Sequence, residues 1–299
     1  MAINFIGVLP SSLFNDSAWP SSSNRPTFSG TTLSWIGPSS GGANNGSPVQ
    51  QSLTLSASGS VSSTANNQII EGLNISGGMT ISHNNVTVRR CKVAAVSNVC
   101  ISIVPGATGT LIEDCLIDGT GGGSNGISHF ATFTISNVTV RRNNILGFEN
   151  HITSAMIDCV AIDNWFHASD GSAGKHADQC ECYGGTSNFL IQHNTFDGRD
   201  RDTELNAGVN VSNSGGSVLN VQVINNRFIQ CGDVFACCDG IDFGASPVTW
   251  SATNNGFWNC VNYRRDGPNG STPSPNSGNF DMAVVDSQSG SLINGTGVM

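Results

Sequence analysis

Short apolar runs alternate with turn residues along most of the chain, and one phrase recurs: an apolar residue, two variable residues, Asn or Cys, one residue, then another apolar residue. It reads Val88-Arg89-Arg90-Cys91-Lys92-Val93, then Ile112-Glu113-Asp114-Cys115-Leu116-Ile117 and Val140-Arg141-Arg142-Asn143-Asn144-Ile145. It returns as Ala161-Ile162-Asp163-Asn164-Trp165-Phe166, Ile191-Gln192-His193-Asn194-Thr195-Phe196, Val223-Ile224-Asn225-Asn226-Arg227-Phe228 and Ala252-Thr253-Asn254-Asn255-Gly256-Phe257. The aligned Asn or Cys positions lie 21 to 32 residues apart. Repeats of that length signal a solenoid. A leucine lattice is absent, and helical repeats would need better helix formers. The pattern therefore predicts an all-β fold, a right-handed parallel β-helix of about seven to nine coils. Each coil would hold three short strands and three turns.

The Asn column has a physical rationale. An Asn at the same bend of every coil bonds its amide to the Asn one coil above and tolerates a bent backbone. Cys fills that slot in the first two coils as a small apolar substitute. Chain beyond the minimal coil must loop out, after Gly119, Phe166, Gly198 and Cys231. Residues 1–60 are read as a leader and cap for attachment, with a first strand near Ser52-Leu53-Thr54-Leu55. Residues 61–262 form the β-helix, and 263–299 a C-terminal extension that packs on the helix or on a partner chain.

Composition narrows the class. Only 11% of residues are charged, and Lys92 and Lys175 are the only lysines, which removes the usual solvated helix faces. The net charge of −9 without a basic stripe argues against a nucleic-acid partner. No apolar stretch approaches the ~18 residues of a membrane span, so no membrane insertion is expected. Met1 to Pro10 lacks a basic n-region and is not read as a signal peptide. The ten cysteines are read chiefly as buried free thiols. Cys180-x-Cys182 and Cys237-Cys238 have no second ligand pair at zinc-site spacing, and neither a metal nor another cofactor is expected.

Ionisable side chains are rare, so their clustering is informative. One cluster holds His167, Asp170, Lys175, His176, Asp178 and Glu181; about one coil later come Asp197, Arg199, Asp200, Arg201, Asp202 and Glu204. Earlier coils offer Asp118 and His129, then Glu149 and His151. In a strand His176 and Asp178 project to one side. A His beside carboxylates acts as general acid or base near neutral pH. Paired carboxylates hydrolyse glycosidic bonds, whereas a base that takes the proton beside a uronate carboxylate gives β-elimination. The same residues also fit ligand binding without chemistry, or a solvated polar strand face with one salt bridge. The stretch Asp197 to Glu204 reads first as a self-paired loop, with calcium as the functional competitor. Trp165 turns outward by alternation, where an aromatic either stacks on a sugar or packs under a loop.

Ile69-Ile70-Glu71-Gly72-Leu73-Asn74-Ile75, followed by Val86-Thr87-Val88-Arg89-Arg90, resembles the start of pectate-lyase-like right-handed β-helix proteins of bacteria and tailed bacteriophages. The resemblance is strongest over Lys175-His176-Ala177-Asp178-Gln179-Cys180-Glu181 and Gly184-Gly185-Thr186-Ser187-Asn188, and spans roughly residues 65–260. The family often carries His-x-Asp-Gly-Ile-Gln there; His176 and Asp178 match, and Gln179-Cys180-Glu181 replaces the rest. Strict alternation cannot bury Cys180 while exposing Asp178, which predicts a bend or bulge between them. The resemblance implies a tail spike or similar virion appendage, assembled in the host cytoplasm as a homotrimer with other virion proteins. Its ligand would be a cell-surface polysaccharide. If active, it would be a polysaccharide lyase or glycoside hydrolase. His176, Asp178 and Glu181 would be catalytic, and Asp118, Glu149, Trp165, Asp197 and Asp200 would bind substrate. The alternatives are a non-catalytic virion protein (capsid decoration or fibre module) and a free extracellular bacterial lyase or hydrolase.

Overall fold

Each phrase of the repeat folds as the end of one strand and the start of the next, hinged at a bend. Thr87–Arg89 and Lys92–Ala94 flank Arg90-Cys91, and Leu111–Glu113 and Leu116–Asp118 flank Asp114-Cys115. The residue before the Asn or Cys adopts a left-handed backbone in every phrase: Arg90, Asp114, Arg142, Asp163, His193, Asn225 and Asn254 have φ between 51° and 59°. Asp, Asn and His are enriched in this region, whereas Arg occupies it at a cost. The recurrence shows that tertiary contacts impose the bend.

A computed structural model describes residues 20–21, 23–37, 49–94, 98–129, 134–171, 175, 177–198, 205–231, 233–237, 247–258, 262–266, 274, 276–277, 280–281, 284–285 and 292–293. Among these there is no helix, and the strands form a parallel β-solenoid. One parallel sheet, sheet 1, stacks Ser56–Ser58, Leu73–Ile75, Lys92–Ala94, Leu116–Asp118, Asn144–Leu146, Trp165–His167, Thr195–Asp197, Arg227–Ile229, Gly256–Trp258 and Phe280–Asp281. Two further columns of parallel strands, sheets 2 and 3, are joined by the long strand Asn150–Ile162. Sheet 2 includes Val99–Ile103, Asn125–Ser128, Ala177–Cys182 and Leu205–Val211. Sheet 3 includes Thr87–Arg89, Leu111–Glu113, Thr139–Arg141, Ser187–Gln192 and Val218–Ile224.

Every sheet turns one row inward. Val93, Ile117, Ile145, Phe166, Phe196 and Phe228 line the core from sheet 1. Ile101, Ile127, Ile152, Cys180 and Val209 do so from sheet 2, and Val88, Ile112, Val140, Ala161, Ile191 and Val223 from sheet 3. Seven cysteines among the described residues are buried free thiols. One turn between strands brings adjacent coils so close that only Gly fits. A Cβ on Gly184 would lie 2.2 Å from the Gly216 nitrogen, one coil away.

Two ladders hold the bends in register. Asn143, Asn164, Asn194, Asn226 and Asn255 are fully buried. Each Asn Oδ1 from Asn164 onward accepts both the backbone N–H and the side-chain amide of the Asn below, at 2.8–3.1 Å. On the outside, charges alternate in sign from coil to coil. Glu71, Arg89, Glu113 and Arg141 are register neighbours; Arg90, Asp114, Arg142, Asp163 and His193 follow the same bend. Arg142 reaches Asp114 at 2.8 Å and Glu113 at 2.7 Å, and His193 Nδ1 lies 2.6 Å from Asp163. Burial opposes ionisation of Glu113, but the hydrogen bond from Arg141 and the charges of Arg141 and Arg142 outweigh it and hold the carboxyl below its usual pKa.

The leader contains more structure than its composition suggests. Thr27–Ser29, Thr32–Gly37 and Val49–Thr54 form an antiparallel three-stranded sheet, so the strand expected near Ser52 is the last of three. Leu33, Trp35 and Leu55 pack with Leu116, beside Phe28, Leu53 and Leu146, on the outer side of sheet 1. Lys92 sits over the Phe28 ring at 4.7 Å, Arg90 over Trp35 at 5.7 Å, and Asn144 Nδ2 donates to the Pro26 carbonyl at 2.9 Å. At the other end, Val284–Val285 pairs antiparallel with Leu292–Ile293.

Candidate functional site

The strand Ala177–Cys182 of sheet 2 carries the predicted carboxylates. Cys180 and Cys182 face the core, which turns Glu181 outward. Pairing with the next coil shifts register between Ala177 and Asp178, a bulge of the kind that re-aims side chains. Asn210, the register partner of Glu181, donates from Nδ2 to Asp178 Oδ2 at 2.8 Å. This places both carboxylates on one side of the strand. Thr153, the partner of Glu181 in the preceding coil, donates to Glu181 Oε2 at 3.1 Å. The Asp178 backbone N–H reaches Asn150 Oδ1 at 3.2 Å. Asp178 is 0% and Glu181 6% exposed, so both are enclosed.

Half-buried Tyr183 adjoins this group and hydrogen-bonds Glu181; burial and the neighbouring Glu181 charge raise its pKa, so the phenol keeps its proton. On the core side, the hydrogen bond with Cys182, burial and the adjacent carboxylates hold the Cys180 thiol far above its usual pKa. It is not a thiolate nucleophile or a ready metal ligand. Gln179 turns to the corner between sheets 1 and 2, where Nε2 donates to the Asp197 carbonyl at 3.0 Å and to Ser169 Oγ at 3.3 Å. Among the described residues no group of three His, Cys, Asp or Glu side chains is placed to hold a metal ion.

The remaining predicted residues are dispersed. Asp118 lies on sheet 1, 3.4 Å from Lys92 Nζ, and accepts the Thr120 hydroxyl at 2.6 Å. Trp165 also lies on sheet 1, on its outer side as alternation requires, but is only 9% exposed and stacks on His167 with ring centroids 3.5 Å apart. Asp197 ends its sheet-1 strand, 1% exposed. Glu149 immediately precedes the long strand and is half-buried. Asp170 pairs with Lys175. His176 and Asp200 lie outside the described residues. Sequence reasoning missed Asn150, Thr153, Tyr183 and Asn210. Asn150 lies 28 residues before Asp178 and Asn210 lies 32 after it. Those separations match the repeat, and they were the available signal.

His151 is not available for acid–base work near neutral pH. It is fully buried between Phe148 and Phe166, each at 5.9 Å, and Nε2 lies 2.9 Å from the His167 carbonyl. Burial pushes its pKa down to about 3, so the folded ring is neutral. Between the ordinary value of 6.5 and about 3 the unfolded chain binds a proton here that the folded chain does not. Stability contributed by this site therefore falls as pH drops through that window, by at most about 1.4 kcal/mol per pH unit. Paired carboxylates such as Glu113 and Asp163 add to the slope toward the acid end of this window, but that part is common to parent and variant. Denaturant titrations from pH 7 to 4.5 should show it in the parent and a shallower one in His151→Gln. Equal slopes would place the acid sensitivity elsewhere.

No family model matches the chain, and no curated protein matches it. Among solved structures it is similar to the crystal structure of an alginate lyase from Paenibacillus sp. str. FPU-7. The two share 15% sequence identity over 72% of this chain and 79% of the other, with a TM-score of 0.40. A likeness of that degree carries no argument about activity.

Proposed function

We propose that this chain is a right-handed parallel β-helix of about seven to nine coils that recognises a cell-surface polysaccharide, as part of a homotrimeric virion appendage. One observation supports the polysaccharide reading. On the outer side of sheet 2, Ser102, Ser128, Thr153, Glu181 and Asn210 follow one another in register, one per coil. Such a row repeats its hydrogen-bonding groups about every 4.8 Å, the kind of spacing an extended polymer follows, although all five side chains are buried. Asp178 and Glu181 interrupt it with two carboxylates, and in the catalytic form of this reading they act with His176. The acidic chain and the absence of a basic stripe suit a neutral or hydroxyl-rich ligand better than a polyanion.

Full burial of Asp178, with Asn210 donating to it, favours a second reading. In that reading the same polar row is a structural element of a non-catalytic virion protein. One experiment separates the two. Purified protein is incubated with acidic and neutral bacterial polysaccharides. Retention, reducing ends and the ultraviolet absorbance of unsaturated uronates are then followed. Binding should weaken about tenfold or more in Glu181→Gln, the scale of a hydrogen bond to a charged group. Cleavage products would establish the catalytic form and identify lyase or hydrolase. Retention of no polymer, across a panel that includes the host's own, sinks the polysaccharide reading.

A further inference from the structure

We propose that Cys91 and Cys115 are a redox-responsive pair that closes into a disulfide between adjacent coils at the leader-bearing end of the solenoid. The two occupy the ladder position that every later phrase gives to Asn. Register places them directly opposite: Arg89 pairs with Glu113 and Lys92 with Leu116. The Arg90 N–H to Glu113 carbonyl bond (3.2 Å) and the Leu116 N–H to Cys91 carbonyl bond (3.0 Å) bracket the pair. Both follow a left-handed residue, Arg90 (φ 52°) and Asp114 (φ 53°), so the two bends are congruent. Their Cα atoms are thus one coil apart, about 4.8 Å, inside the roughly 4.4–6.8 Å disulfide range. Both thiols are fully buried and bond the equivalent carbonyls of their own coils, Cys91 that of Arg89 at 3.3 Å and Cys115 that of Glu113 at 3.2 Å.

Both sulfurs occupy equivalent positions in adjacent coils, so either can attack first; when Cys91 attacks, Cys115 resolves. A peroxide is the oxidant small enough for a buried site. The Cys91 thiolate attacks one oxygen of hydrogen peroxide, gives a sulfenic acid and releases hydroxide. The Cys115 thiol then attacks that sulfur, loses its proton and expels water as the S–S bond forms. Cys180 and Cys182 are also in contact, but they sit two residues apart on one strand, about 6.6 Å, at the edge of the range. The location gives the bond a consequence. Here the ladder lacks amide-to-amide bonds, and Arg90 and Lys92 beside Cys91 hold Trp35 and Phe28 of the leader.

The test treats the intact protein with hydrogen peroxide, then quenches, denatures, alkylates and digests it for mass spectrometry. Two thiols should be lost, recovered in one linked peptide pair containing Cys91 and Cys115 and released by reductant. The thermal midpoint should rise by roughly 5–10 °C and return on reduction. In Cys115→Ser the same dose should leave a sulfenic acid on Cys91 that dimedone labels. If that variant does not fold, the parent mapping alone decides. Cys91 and Cys115 alkylated as in untreated protein, or linked to other cysteines, would overturn the proposal. Polysaccharide binding is a separate readout, so failure here does not bear on the reading above.

Discussion

Replacing Asn194 by leucine is expected to destabilise the solenoid by about 3–6 kcal/mol. Asn194 Oδ1 accepts the Asn164 N–H at 2.9 Å and the Asn164 amide at 3.0 Å. Its Nδ2 donates to the Ala161 carbonyl, the Gln192 carbonyl and Asn226 Oδ1 at 2.9–3.1 Å. All of these bonds except the one to the Gln192 carbonyl are buried, and each buried polar atom left without a partner costs about 1–3 kcal/mol. Asn194→Cys should lose roughly half as much. The thiol of Cys91 already bonds the equivalent carbonyls, Arg89 at 3.3 Å and Ile70 at 3.7 Å, but sulfur accepts poorly from the coil below. Denaturant unfolding of the parent and both variants measures the difference. Hydrogen exchange should localise the loss to the amides of Asn164 and its neighbours. Equal stability of Asn194→Leu and the parent would mean that the ladder is decoration on a fold held by its apolar rows.

Phe196→Ala is expected to cost about 3–5 kcal/mol, the range for deleting a buried aromatic ring. Phe196 is fully buried and stacked between Phe166, 5.0 Å away and tilted 15°, and Phe228, 4.7 Å away and tilted 7°. Coil spacing fixes the rings of neighbouring strands, so they cannot collapse into the space left behind. Phe196→Leu should retain most of the stability. In a solenoid each coil contacts only its neighbours, so the defect should weaken the coils of Phe166 and Phe228 and leave the leader end unaffected. Chemical denaturation combined with exchange mapping checks both parts. A loss spread evenly along the chain would contradict the nearest-neighbour picture.

The sequence revealed the repeat because stacking makes one chemical demand at the same place in every coil. Position Asn143 has to satisfy the amides of the coils on either side, and so do Asn164, Asn194, Asn226 and Asn255; a demand repeated five times is readable without coordinates. The same holds for the inward apolar row from Val93 to Phe228. The leader was less legible. It packs against sheet 1 through a few side chains, Phe28, Leu33 and Trp35, which do not recur.

The candidate site divides along the same line. That Asp178 and Glu181 share a strand was legible from the residues; the bulge was expected for an exposed Asp178, whereas Asp178 is buried and the register shift falls between Ala177 and Asp178. Which neighbours they meet depends on the stacking of coils. Asn150, Thr153 and Asn210 come from other coils, and insertions of varying length set which of their residues fall opposite. Burial was likewise a tertiary outcome: alternation states which side of a sheet Trp165 occupies, but His167 and the surrounding chain decide that it is covered. Local chemistry fixes direction along a strand, whereas packing between coils fixes what lies at the end of each side chain.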